Sequence, residues 1–402
     1  MTTAQPVTAA APRTVGYAYP WDVIGDPDFS SRVLDLGVDT VALAASYHTA
    51  RAATPLHPTT RFVNASSAAL YRPIRDEAWS GRRLVPAPAT WVPDPDPFGT
   101  AAATLIEAGV DVAAWIVLTH ATRLGEAHPD LAVVNCFGER YPYALSPQSA
   151  EVREYAATLA AEAIRDVPCS TVILEACGQL GVTHGGHHEK TDGAYDHVAQ
   201  RLLSIDCSLA SVEAWEAHGL DPERVVAELR AGVDATLRSP GGSVPAVDQA
   251  LLDTLLEIRH QATDELRRTV ISAVGSVAGG DLRLVLHAEP DPWATGALPG
   301  LTATGPDDVD AVVAQCWPVA DASVEKVRSL SQTLAGRAAT GAYVTALPPT
   351  TDAAFGDYLT ELEAAGVDEL HLYHLGLAGP DRQPMLAAAA GRARTTGEEA
   401  GR

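Results

Sequence analysis

Three times along this chain an amphipathic stretch ends in Gly, continues through Val-Asp, and runs straight into an apolar segment. The phrase stands at Leu36-Gly37-Val38-Asp39 before residues 40–45, at Gly109-Val-Asp111 before 112–118, and at Gly366-Val-Asp368 before 369–375. Glycine enters the left-handed backbone region cheaply, so it ends a helix and turns the chain into a strand. A helix that feeds a strand through one short joint, repeated, is the signature of a parallel α/β fold.

Eight strands are expected, over 15–19, 40–45, 112–118, 171–176, 282–288, 311–316, 341–346 and 369–375. They lack strict polar alternation, as strands buried on both faces do. Amphipathic helices fit between them. In 151–165, Val152, Tyr155, Ala156, Leu159 and Ala163 share a face; in 351–365, Phe355, Tyr358, Leu359 and Leu362 do. Eight strand–helix units predict an α/β fold of the (β/α)8 TIM-barrel type. A doubly wound sheet is the alternative, but no Gly-rich phosphate turn follows the first strand. A ninth apolar run, Leu84-Val-Pro-Ala-Pro88, is placed in an insertion after the second strand. The single barrel is expected over 14–390, with a helical insertion at 178–280 after the fourth strand. That insertion would contain a long helix within 245–277. Residues 1–13 and 391–402 read as flexible tails.

Composition removes several function classes. Of 402 residues 47% are hydrophobic, enough for a large core, and no apolar run is long enough to span a bilayer. Acidic residues number 51 against 28 Lys+Arg, a formal charge of −23. A surface so negative repels phosphate backbones and anionic lipid, so neither nucleic acid nor membrane is expected as a partner. The five cysteines are scattered without a C-x-x-C pair and read as reduced thiols. Met1–Pro12 has no basic start and no apolar stretch. A cytoplasmic protein is expected.

In a barrel, chemistry gathers where strands end. The first strand leads to Tyr19, Trp21 and Asp22, the second to Tyr47, His48 and Arg51, and the third to His120. The fifth ends in His287, followed by Glu289, Asp291 and Trp293; the eighth carries His371, Tyr373 and His374. The most informative position is Glu175, which closes Thr171-Val-Ile-Leu174. A carboxylate at the end of a buried strand costs several kcal/mol unless it is paired or hydrogen-bonded. It is either a catalytic acid or nucleophile, or a salt-bridge partner for an Arg such as Arg51 or Arg123. Glu289 lies on the neighbouring strand end, and two such carboxyls can flank a glycosidic bond. Asp291 and Asp22 compete for the same second role. The aromatic rings can stack on sugars, and the histidines can bind hydroxyls.

His184-Gly-Gly-His187-His188-Glu189 offers metal donors, yet in a Gly-rich loop without the H-E-x-x-H helix spacing. Substrate binding or loop ordering is the preferred reading of His184, His187 and His188, and neither a metal nor another cofactor is assigned.

Ala114-Trp-Ile-Val-Leu-Thr-His120, Asn135, Gly138, Tyr141-Pro-Tyr-Ala-Leu-Ser-Pro147, Glu151-Val-Arg153 and the Glu175 strand end follow one another in order. With Ser46-Tyr47-His48 and Leu372-Tyr373-His374-Leu-Gly376, this order resembles the bacterial glycoside-hydrolase-like TIM-barrel proteins. The resemblance implies that Glu175 is the catalytic carboxylate. The end of the seventh strand, Ala342–Leu347 into Pro348-Pro349, carries no acid, which departs from barrels that pair strands four and seven. A strand-four and strand-five pairing, as in the α-amylase superfamily, is then the better analogy. The expected function is a glycoside hydrolase acting on a small carbohydrate, possible as a homodimer. The alternatives are a metal-dependent sugar isomerase, epimerase or lyase using the loop histidines, Glu175 and Glu289, and a sugar-binding barrel without chemistry.

Overall fold

The computed structural model describes residues 12–183, 190, 191, 193–238 and 247–399. Eight parallel strands close into a barrel: β1 (Arg13–Ala18), β2 (Thr40–Tyr47), β3 (Asp111–Val117), β4 (Thr171–Glu175), β5 (Arg283–His287), β6 (Ala311–Gln315), β7 (Ala339–Thr345) and β8 (Glu369–Tyr373). Closure is visible in the register, since Val15 of β1 sits beside both Thr40 of β2 and His371 of β8. All eight segments read from the sequence are strands of this barrel. β2 and β4 are buried throughout, which explains the missing polar alternation.

The repeated joint has its expected geometry. Gly37, Gly109 and Gly366 all have positive φ, and each sends a helix into β2, β3 or β8. Helices Ala150–Ile164, Asp321–Leu334 and Asp352–Ala364 bury their apolar faces against the strands. After β2 the chain makes a hairpin of Ala50–Ala53 with Phe62–Ala65. It then adds Ala69–Leu70 antiparallel to β2, with Ala87–Pro88 parallel to that strand. The ninth apolar run is therefore part of this excursion.

Among the described residues, four helices lie between β4 and β5: His197–Leu203, Leu209–Ala217, Pro222–Arg238 and Gln249–Val277. The last packs along Ala150–Ile164, the place of an ordinary crossover helix. Its inner face carries Leu252, Leu255, Ile258, Leu266 and Val270. No helix among the described residues is long and apolar enough to cross a membrane.

Candidate active site

Glu175 ends β4 with its side chain inside the barrel and is only 5% exposed. One oxygen, Oε2, accepts a hydrogen bond from Trp115 Nε1 at 2.7 Å and lies 3.4 Å from His287 Nδ1. The His287 contact is close enough for an ion pair but not aligned as a hydrogen bond, since Nδ1 has no hydrogen-bond partner. Oε1 takes no hydrogen bond from the described residues. Neither Arg51 nor Arg123 pairs with Glu175: Arg123 donates to Val85 O, and Arg51 lies on the exposed Ala50–Ala53 strand.

Below Glu175 a chain of buried polar groups runs down the barrel. His287 Nε2 is 2.7 Å from Tyr17 Oη, and Tyr17 Oη is 2.9 Å from His371 Nδ1. His371 Nε2 is 3.2 Å from Glu369 Oε2, and Glu369 is ion-paired with Arg283. Strand periodicity builds this column, because Glu369, His371 and Tyr373 occupy alternate positions of β8. Burial raises the Tyr17 phenol well above its usual range, and Glu175 and Glu369 add to that. Burial also lowers the His371 imidazole, against the pull of Glu369. Burial opposes ionisation of Glu369, but His371, Arg283 and Arg13 outweigh it and hold the carboxyl below its usual range.

Above and around Glu175 the wall is aromatic. Tyr47, Tyr343 and Tyr373 lie in its electrostatic field, and burial raises each phenol. Tyr19 stacks on Trp21 at 4.4 Å between ring centres, Trp317 on Tyr373 at 4.9 Å, and Tyr47 on His48 at 4.1 Å. His48 and His120 face each other at 4.5 Å. Asp22, 3% exposed, accepts the Tyr19 N–H at 2.8 Å, and burial pushes its carboxyl up to about 7. Gly376 covers it; a Cβ there would stand 2.1 Å from the carboxyl carbon, so no larger residue fits. His374, pushed down to about 3 by burial, places Nδ1 3.9 Å from Asp22. Asp22 Oδ1, His374 Nε2, Trp21 Nε1 and Trp317 Nε1 are buried without hydrogen-bond partners.

The sequence-derived candidates therefore divide. Tyr19, Trp21, Asp22, Tyr47 and Tyr373 gather with Glu175, and His48 and His120 extend the group outward. His287 joins from beneath, fully buried. Glu289 binds Lys326 Nζ at 2.7 Å and the Gln315 N–H at 3.2 Å, and burial raises its carboxyl despite that lysine. No hydrogen bond or ion pair among the described residues joins Glu289 to Glu175. Asp291 is exposed and accepts the Trp293 N–H. Trp293 is held between the guanidinium groups of Arg201 and Arg259. His184, His187, His188 and Glu189 lie outside the described residues. Among the described residues no cluster of three or more His, Cys, Asp or Glu is placed to hold a metal ion. Tyr17, Trp115, Glu369 and Arg283 were not among the candidates, although Glu369-Leu-His371-Leu-Tyr373 displays three polar residues on one strand face.

The fold and this mouth define a (β/α)8 barrel with an acidic, aromatic-lined C-terminal end. No family model matches the sequence, and no curated protein matches it. Solved structures do match. The catalytic domain of β-amylase from Paenibacillus polymyxa aligns with a TM-score of 0.59 and 12% identity, over 96% of this chain and 98% of that one. α-L-Fucosidase isoenzyme 2 from Paenibacillus thiaminolyticus aligns with a TM-score of 0.57 and 11% identity, over 97% of this chain. β-Galactosidase from Marinomonas ef1 aligns with a TM-score of 0.55 and 11% identity, also over 97% of this chain. This chain spans 50% of the fucosidase chain and 60% of the galactosidase chain. At such identities these likenesses establish the fold.

Proposed function

We propose that the protein is a carbohydrate-active enzyme, a glycoside hydrolase in which Glu175 is the reacting carboxyl. The observation that carries this reading is the setting of Glu175. It lies at the C-terminal end of a barrel strand, one oxygen held by Trp115 and the other taking no hydrogen bond from the described residues, inside a ring of stacked aromatics. Sugar rings bury their apolar faces on such surfaces. The unpartnered donors Trp21 Nε1 and Trp317 Nε1 suit a ligand rich in hydroxyls. That three structural neighbours are named as a β-amylase, a fucosidase and a galactosidase agrees with the reading.

Glycoside hydrolysis needs two carboxyls, one of them protonated near neutral pH. Asp22 is assigned the acid role. Burial carries its carboxyl to about 7, and Tyr373 lies in the field of both Asp22 and Glu175. Glu289, tied to Lys326, is the other acid in the region. The test is turnover of a panel of aryl glycosides by the wild type and by Glu175→Gln, Asp22→Asn and Glu289→Gln. Loss of more than about a hundredfold is expected for Glu175→Gln, whereas retention within about tenfold overturns the assignment. The deep burial of both Glu175 and Asp22 favours a second reading, a sugar-binding barrel without chemistry. Saturable binding of sugars with no product formed would select it.

A further inference from the structure

The buried column beneath Glu175 has a proton count that its geometry dictates. Four close contacts link its members in series: Glu369–His371 at 3.2 Å, His371–Tyr17 at 2.9 Å, Tyr17–His287 at 2.7 Å and His287–Glu175 at 3.4 Å. The first three are hydrogen bonds, and a neutral tyrosine and two neutral imidazoles supply the one proton that each requires. The fourth contact is at ion-pair distance without hydrogen-bond alignment; a bare Nδ1 lone pair facing a carboxylate oxygen there is repulsive, and a further proton on either group makes the contact attractive.

The far end of the column decides where that proton goes. Glu369 is ion-paired with Arg283 and with Arg13 nearby, so it stays ionised and accepts from His371 Nε2–H. His371 is kept neutral by burial, so its Nδ1 bears a lone pair and accepts from the Tyr17 hydroxyl. Having given its proton to His371, Tyr17 can only accept from His287, whose Nε2 must carry hydrogen. His287 Nδ1 then faces Glu175 Oε2, and no other polar atom is available to it.

We propose that Arg283 and Glu369, at the N-terminal end of the barrel, act as positioning residues that fix the tautomer of His287 and so hold one proton between His287 and Glu175. The pair exists as imidazolium with carboxylate or as neutral imidazole with carboxylic acid. The two forms differ by transfer of a single proton between Nδ1 and Oε2. The other groups facing the pair are the Trp115 indole from β3 and the phenols of Tyr47, Tyr343 and Tyr373 from β2, β7 and β8, none of which carries charge at neutral pH. A cavity of about 10 Å³ lined by Arg13, Arg283, Glu369 and His371 adjoins the lower end. That is about the space of one water molecule. For the hydrolase reading, on which this functional consequence rests, the imidazolium form keeps Glu175 ionised, as a reacting carboxylate working with an acid at Asp22 requires.

The experiment is nitrogen-15 NMR of the histidine-labelled full-length protein near neutral pH. His287 and His371 are assigned from variants lacking each ring. In the wild type, His371 is expected neutral with hydrogen on Nε2, and His287 with hydrogen on Nε2 and the further proton on Nδ1 facing Glu175. Tyr17→Phe cuts the column and frees His287 to place its one hydrogen on Nδ1, donating to an ionised Glu175. The folded protein then binds one proton fewer. Glu369→Gln offers an amide N–H that can donate to His371, reversing the column to the same end state. It serves if Tyr17→Phe does not fold. An unchanged His374 signal, from a ring outside the column, reports an intact mouth. A wild-type His287 that carries hydrogen on Nδ1 alone, or a His287 that does not respond to either folded variant, overturns the proposal. These readouts need no substrate, so they stand or fall separately from the hydrolase reading. If that reading holds, both variants should also displace the pH profile of kcat.

Discussion

At the scale of single residues, the environment of Asp22 has a consequence for stability. Its carboxyl is near 3.8 in ordinary surroundings and about 7 here, chiefly because burial disfavours the charge. The folded protein therefore holds a proton that the unfolded chain has released. Stability contributed at low pH declines as pH rises from the unfolded value through the folded one, and levels off above it. Asp22→Asn removes this dependence. Relative to the variant, the wild type should lose on the order of 2–3 kcal/mol between about pH 5 and about pH 8. Denaturant midpoints of both proteins at the two pH values measure it; parallel curves would refute the shift. If Asp22 is also the acid of the reaction, turnover declines over the same range near neutrality.

Among elements, the long helix Gln249–Val277 is tied to the connection between β5 and β6 chiefly through Arg267. Arg267, 1% exposed, donates to Asp264, Asp308, Thr302 and Thr304 at 2.7–3.1 Å. These partners lie on the helix itself and on the connection from β5 to β6. The guanidinium fork suits several acceptors at once, which a lysine cannot match. Removing the cation takes from two partly buried carboxylates their closest partner, with only the more exposed Arg268 left beside them, so Arg267→Met should cost roughly 3–5 kcal/mol. Urea unfolding measures this; a loss below about 1 kcal/mol would show that the apolar face of the helix alone secures it.

Across the whole molecule, the formal charge of −23 sets the response to salt. Many acidic side chains are already paired, as in Arg83 with Asp130 and Glu151 or Arg75 with Glu162, but the excess remains. Repulsion among like charges weakens a compact state, and screening relieves it over distances longer than the Debye length, about 8 Å at 0.15 M salt. Thermal midpoints should therefore rise as sodium chloride increases from about 10 mM to about 150 mM. A midpoint that falls would mean that the surface ion pairs contribute more than the net repulsion removes.

Strand identity, helix faces and the Gly-Val-Asp joints are local properties of the chain, and they are legible in its residues. Period, propensity and the left-handed glycine act within a few positions, so the eight strands and the helices at Ala150–Ile164 and Asp352–Ala364 follow from short windows. The strand end at Glu175 is legible for the same reason. What Glu175 touches is not. Trp115, His287 and Tyr17 come from three other strands, and their meeting depends on the stagger of a closed barrel, a property no single segment contains. Likewise Glu289, adjacent to Glu175 by strand order, is drawn to Lys326 of the following helix. Sequence alone determined a parallel barrel and the acid that closes its fourth strand. Only tertiary structure decided which groups that acid faces, because the contacts are made between strands and each strand's register is set by all the others.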